Sequence, residues 1–349
     1  LLNMSSEGKR ITLQDIALSL GVSRGTVDRA IHGRGRINEE TRERVIEEAR
    51  RLGYAEERLT PLLALRRSLE IACIIPDRPD YFFDFILEGM QDAAQGLHNP
   101  GMELSIHRTP ANDESYQARI IENLPESVDG IILVPQGMEE IGKAVRRWKS
   151  AGPNRIKPLL TVNSDLPESG RECFVGQDLY RSGRIAGEIL GKLVRKGSVL
   201  PITGKRYLFG HEERIRGFTE MIREFFPGID ISEPVECSDD ELLAGDLVRE
   251  ALHSPSPPSG IFCASGASTL GAAGALRAEG LPGIPLVGYD RSSRLMEALD
   301  DLVVDALVTQ DPVAQGREAV HLLYSLAGGE PPPENGHLHT RTEVLFREL

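Results

Sequence analysis

Between residues 12 and 32 the chain gathers side chains of the kind that reads nucleic acid. A guanidinium can give two parallel hydrogen bonds to guanine, so Arg24 and Arg29 are candidates for contact with base edges. Thr12, Ser23 and Thr26 carry hydroxyls suited to phosphate oxygens. Gly25 and His32 share the polar, small-residue face, from which Val27 and Ile31 turn inward. Asp28 is acidic where phosphates would lie, and either accepts from cytosine or orients Arg29. Six basic residues stand against two acidic ones from Lys9 to Arg36, in a chain whose net charge is −13. A basic head on an acidic body suits a protein that touches phosphates with one end and does not coat nucleic acid.

Three short helices must position these side chains. Thr12 is placed to cap a helix over 13–20 that Gly21 stops, and Ser23 to cap a second over 24–32. Asn38 begins a third over 39–52. The first two, joined through Gly21-Val22-Ser23, predict a helix-turn-helix whose second member enters a major groove.

Beyond about residue 70 the texture changes. Nine β-rich runs alternate with amphipathic helical stretches, which predicts parallel sheets covered by helices on both faces. Breaks near Gly176 and Gln310 divide the runs between two doubly wound lobes, whose ligands bind beyond the carboxyl ends of the strands. The expected fold class is therefore α/β: a small all-α head and two doubly wound parallel-sheet lobes. The domains are 9–55 for the head, 56–70 for a connector and 71–349 for the core. The first lobe is expected over about 71–175 plus part of 305–335, the second over about 176–304.

Several chemistries are not supported. No G-x-G-x-x-G follows a strand, and there is neither a P-loop nor a G-x-S-x-G elbow. Gly266, Gly271 and Gly274 suit tight helix packing, and His211-Glu212 is a weak acid–base pair. The four cysteines are scattered, which argues against a zinc site or a disulfide framework. No cofactor or metal is expected. The apolar runs are of strand length, and no basic flank leads an apolar run at the start, so the expected location is cytoplasmic, away from any membrane.

The head resembles the lactose/galactose repressor (LacI/GalR) family, whose opening runs T-x-x-D-I-A-x-x-x-G-V-S-x-x-T-V-S-R. Thr12, Asp15, Ile16, Ala17, Gly21, Val22, Ser23, Thr26, Val27 and Arg29 match at the same spacings. Asn38 to Tyr54, ending Leu-Gly-Tyr, is similar to the family's third helix, whereas Asp28 stands where serine is usual. The resemblance implies a ligand-responsive transcriptional regulator, binding a near-palindromic operator as a homodimer or tetramer. It also implies a hinge helix whose leucine, here Leu63, wedges into the minor groove. Glu56-Glu57 and Pro61 depart from that pattern, so the helix is expected to start at Thr60-Pro61, with Arg66 and Arg67 toward phosphate.

The resemblance continues into the sugar-binding core that these regulators share with type I periplasmic binding proteins, through Ile71-Ala-Cys-Ile-Ile-Pro-Asp, Val287-Gly-Tyr-Asp290 and Val308-Thr-Gln310. It implies ligand contacts at Asp80, Phe82, Phe83, Asn163, Arg214, Ser265, Asp290 and Gln310, with a sugar or polyol as effector. Arg216 competes with Arg214 for the ligand arginine. Ser265-Gly266 replaces the usual Asn-Asp, which opens the site to a larger or phosphorylated ligand. The rival readings are a transport sugar-binding protein with no DNA role and a sugar-processing enzyme.

Overall fold

The computed structural model describes residues 12–32, 37–52, 69–78, 82–97, 102–151, 157–205 and 208–348. The connector, and with it Thr60, Pro61, Leu63, Arg66 and Arg67, lies outside the described residues, as does Asp80.

Three helices form the head: α1 (Leu13–Leu20), α2 (Arg24–His32) and α3 (Glu39–Arg51). Thr12 caps α1 in a reciprocal box with Asp15, and Gly21 ends the helix at φ 68°, where a Cβ would be strained. Ser23 Oγ accepts from Thr26 N at 3.0 Å and so caps α2. Ile16, Ala17, Val27, Ala30, Val45 and Ala49 close a small core between the helices.

The first sheet contains β1 (Leu69–Asp77), β2 (Met102–Pro110), β3 (Val128–Leu133), β4 (Leu159–Val162), β5 (Cys173–Gly176) and β12 (His337–His339). Its order is β12-β5-β4-β3-β1-β2, with every pairing parallel. Alternation along β1 builds both layers. Ile71, Cys73 and Ile75 face α4 (Phe82–Gly96) and α12 (Pro312–Ala327), whereas Ala72 and Ile74 face α5 (Glu114–Glu122) and α6 (Glu139–Ser150). Two glycines let α4 and α12 meet backbone to backbone. A Cβ on Gly89 would stand 2.0 Å from Val313 O, and one on Gly316 1.9 Å from Ile86 O.

The second sheet contains β6 (Gly197–Thr203), β7 (Ile229–Ile231), β8 (Val235–Glu236), β9 (Gly260–Cys263), β10 (Leu286–Tyr289), β11 (Ala306–Gln310) and β13 (Thr342–Leu345). Its order is β13-β11-β10-β9-β6-β7, with β8 also on β6, and β13 runs antiparallel to β11. Helices α7 (Leu179–Val194) and α8 (Phe209–Phe225) cover one face; α9 (Glu241–Leu252), α10 (Gly266–Ala278) and α11 (Ser293–Asp300) cover the other.

The chain crosses between the sheets after β5, after β11 and after β12. These crossings run together: Gln177 Nε2 donates to Thr309 O at 3.1 Å, and Thr340 N to Gly176 O at 2.8 Å. The second sheet takes in β11, so a lobe boundary near residue 304 falls one strand early. Beyond it, the first lobe receives α12 and β12, not β11. The third crossing and the antiparallel β13 depart from the expected all-parallel pattern. Strands of two to four residues such as β7, β8, β12 and β13 carry too few side chains to show a period.

Candidate functional site

In the head, α2 places Arg24, Gly25 and Arg29 at the surface and turns Val27 and Ala30 into the core. Arg29 Nε donates to Gly25 O at 3.0 Å, which holds the guanidinium along its own helix. Asp28 is half-buried, and Thr26 Oγ1 lies 2.8 Å from Ser23 Oγ. His32 closes α2, with its side chain outside the described part. The polar face is thus continuous with the capped start of α2, where N–H groups and the helix dipole favour phosphate.

A cleft separates the lobes beyond the carboxyl ends of the strands. The first lobe lines it with Pro76, Arg78, Phe83, Asn112, Val134, Pro135, Gln136, Asn163 and Ser164. The second contributes Leu179, Leu208, Gly210, His211, Arg214 and Asp239. Of the residues expected from the sequence, Phe83, Asn163 and Arg214 reach the cleft. Phe82 packs on the core of the first lobe, edge-on to Phe83 with ring centroids 5.4 Å apart.

Asp290 and Gln310 stand behind the cleft in one hydrogen-bonded chain. Asn163 Nδ2 donates to Gln310 Oε1 at 3.2 Å, and Gln310 Nε2 to Asp290 Oδ1 at 3.0 Å. Gln315 Nε2 also reaches Gln310 Oε1, at 2.9 Å. The chain therefore joins the end of β4 in one lobe to the end of β10 in the other. Asn163 and Asp290 both take left-handed backbone, φ 66° and 69°, a conformation that Asn and Asp tolerate better than most side chains.

Ser265 caps α10 and does not line the cleft. Its neighbour gives the Ser-Gly pair a physical role. Gly266 N donates to Asp290 Oδ2 at 3.1 Å, and a Cβ on Gly266 would stand 3.2 Å from that oxygen.

Arg214 is 5% exposed. Its guanidinium lies 3.9 Å from the Tyr289 ring centroid, and it donates to Ala264 O at 2.9 Å and Gln177 Oε1 at 3.3 Å. Its Nε has no partner. Burial pushes the Tyr289 phenol up to about 12, so the ring under Arg214 is neutral. Arg216, the competing candidate, is a surface residue paired with Glu213 and Glu220.

Four cleft residues were not expected as contacts. Arg78 follows β1 directly, and the end of a strand was a usable signal for it. Asn112 and Gln136 are coupled, Asn112 N donating to Gln136 Oε1 at 2.7 Å. Asp239 follows β8, which has no sequence signature, on two consecutive left-handed residues, Ser238 at φ 52° and Asp239 at φ 55°. His211 lies 3.8 Å from Asp239 Oδ2, and its Nδ1 accepts from Lys205 N at 3.1 Å. Asp239, not Glu212, is therefore its acidic neighbour. Burial lowers the His211 pKa, with Asp239 opposing and Arg214 and Arg78 adding to the drop. Burial works to raise that of Asp239, but His211, Arg78 and the Ser265 hydroxyl outweigh it and hold the carboxyl below its usual range.

The comparisons with known proteins agree with this two-part construction. Residues 12–56 match the model of bacterial regulatory proteins of the lacI family, and residues 71–331 that of the periplasmic binding protein domain. The chain is a lacI-family regulator with a periplasmic binding protein domain as its core. Among curated relatives, this regulator is 24% identical to the HTH-type transcriptional repressor CytR of Escherichia coli K12, over 91% of this chain and 90% of that one. It is 25% identical to catabolite control protein A of Staphylococcus aureus N315, over 75% of each chain.

Among solved structures, the regulator's core is similar to an ABC transporter solute-binding protein of Burkholderia graminis in complex with D-arabinose. The TM-score is 0.73 at 26% identity, over 81% of this chain and 96% of that one. GanP, a glucose-galactose-binding protein of Geobacillus stearothermophilus, shares the fold at TM-score 0.73 and 21% identity, over 81% and 98%. No helix among the described residues of the regulator is long and apolar enough to cross a membrane.

Proposed function

We propose that this regulator binds a near-palindromic operator as a homodimer, in the cytoplasm, and that a sugar or polyol between its lobes sets its affinity for DNA. The chain Asn163–Gln310–Asp290 carries the reading. It joins strand ends of both lobes directly behind the cleft, so a ligand that touches Asn163 and Arg214 acts on the relation between the lobes. A guest that binds one lobe arrangement better than the other shifts the equilibrium by its differential affinity, typically about 1–3 kcal/mol. The D-arabinose-bound relative supports a carbohydrate as that guest. One head offers few base contacts, and two on a symmetric site give useful affinity.

The test combines gel shifts on operator duplexes selected from a random pool with a thermal-shift sugar screen. Asp290→Ala is expected to remove both the ligand's thermal shift and its effect on DNA, while leaving basal operator binding. An Asp290→Ala protein that responds like the parent would place the effector site elsewhere.

A further inference from the structure

Arg214 is a buried cation with no counter-charge. It donates to a carbonyl and to a side-chain amide, and no carboxylate of the described residues pairs with it. Breaking up or omitting one half of a buried ion pair is costly, because the remaining charge keeps its desolvation penalty without Coulombic return. The Tyr289 ring offsets part of this through its π face. Nε, sealed from solvent and without an acceptor, is left over.

The other charges of the cleft do not supply the missing anion. Asp239 is engaged by Arg78 at 3.3 Å and faces His211. Asp290 accepts from Gln310 and from the Gly266 amide and does not line the cleft. Among the lining residues, two arginines face one aspartate and a histidine that burial and both arginines hold toward its neutral form. One positive charge is left over.

A second feature points the same way. The 17-residue helix α8 begins at the cleft, through Leu208, Gly210 and His211, and its N-cap residue Leu208 makes no side-chain cap. The positive end of the helix dipole and its first N–H groups therefore face the cavity that Arg214 faces.

We propose that the cleft is selective for an acidic sugar derivative, whose carboxylate or phosphate is held by Arg214 and the amino end of α8. The proposal rests on the sugar-cleft reading above and narrows it. In such a complex the anion accepts from the Arg214 guanidinium in a site shielded from water, where charge-assisted bonds are short and strong.

Isothermal titration of the full chain with matched pairs tests it: galactose against galacturonate, glucose against glucuronate and glucose 6-phosphate, and inorganic phosphate alone. The acidic member of at least one pair is expected to bind tenfold or more tightly than its neutral partner. The phosphate and carboxylate arms distinguish the two sources of charge. In Arg214→Gln, with folding checked by circular dichroism, that ratio should fall toward one, and Arg214→Lys should keep part of it. Neutral sugars that bind as well as or better than their acids would overturn the charge selectivity and leave the sugar cleft standing. Absence of binding by every member would remove both. The comparison of pairs on the unmodified chain decides the matter even where a variant does not fold.

Discussion

Arg78 and Asp239 clasp the two lobes across the mouth of the cleft. Arg78 follows β1 of the first sheet, and its two terminal nitrogens reach the Oδ2 and the main-chain carbonyl of Asp239, each at 3.3 Å. Asn112 Nδ2 reinforces the contact by donating to Ser238 O at 3.3 Å. The clasp is mostly shielded from solvent, with side-chain exposures of 18% for Arg78 and 6% for Asp239, so water screens it less than a surface pair.

We predict that Arg78→Ala weakens effector binding by depopulating the closed arrangement, since apparent affinity scales with the competent fraction. A double-mutant cycle with Asp239→Asn should give a coupling of about 0.5–3 kcal/mol in effector affinity. Additive losses in titration calorimetry would mean that the two residues act independently.

Acid should loosen the second lobe in the region of the cleft. His211 and Asp239 both have folded-state pKa values below their ordinary ones, 6.5 and 3.8, so both bind more protons unfolded than folded. Stability therefore falls as pH drops. The His211 contribution is complete above 6.5 and is lost as pH falls from there toward the lower folded value. That of Asp239 follows below 3.8. The charged groups around His211 are Asp239, Arg78 and Arg214, with the Lys205 amide on its other nitrogen. Melting temperature measured against pH should flatten just below 6.5 in His211→Gln; an unchanged slope would show that His211 titrates as it does in water.

Gly217 and Gly183 are predicted to resist substitution. A Cβ on Gly217 would stand 2.0 Å from Tyr180 O, and one on Gly183 2.1 Å from Arg214 O, so α7 and α8 touch through their backbones. Gly217→Ala should cost about 1–3 kcal/mol as overpacking. Because α8 carries Arg214, effector affinity should fall as well. Chemical denaturation and titration of the same variant check both; parental values for both would refute the close packing.

For the head, Arg29→Ala should cost about 1–3 kcal/mol in operator binding and relax preference at one base pair in each half-site. Selection from random duplexes measures this directly. Retained selectivity would assign the base contact to another residue, with Arg24 next.

Much of this molecule was legible in the linear chain because its signals are local. Helix caps at Thr12 and Ser23, and the stop at Gly21, each depend on atoms within a few residues, and the structure reproduces all three. The β-α alternation and the breaks near Gly176 and Gln310 are likewise visible as hydrophobic period and its interruption. Phe83, Asn163 and Arg214 were found because ligands in such sheets collect at strand ends, and because the chain resembles a family that uses those positions.

What the chain order does not contain is which distant residues share the cleft and with what charge. Arg78 and Asp239 are 161 positions apart, and only the approach of the two lobes turns them into a pair. The same holds for Arg214: its sequence neighbours Glu212, Glu213 and Arg216 suggest a surface ion pair. Folding instead sets it on Tyr289, against Ala264 O, with no carboxylate to meet it. Periodicity reports which face of an element is buried, whereas burial of a charge without a partner is a property of the assembled interior. The reason is physical: electrostatic and desolvation energies depend on distance through space, and the sequence specifies distance only along the chain.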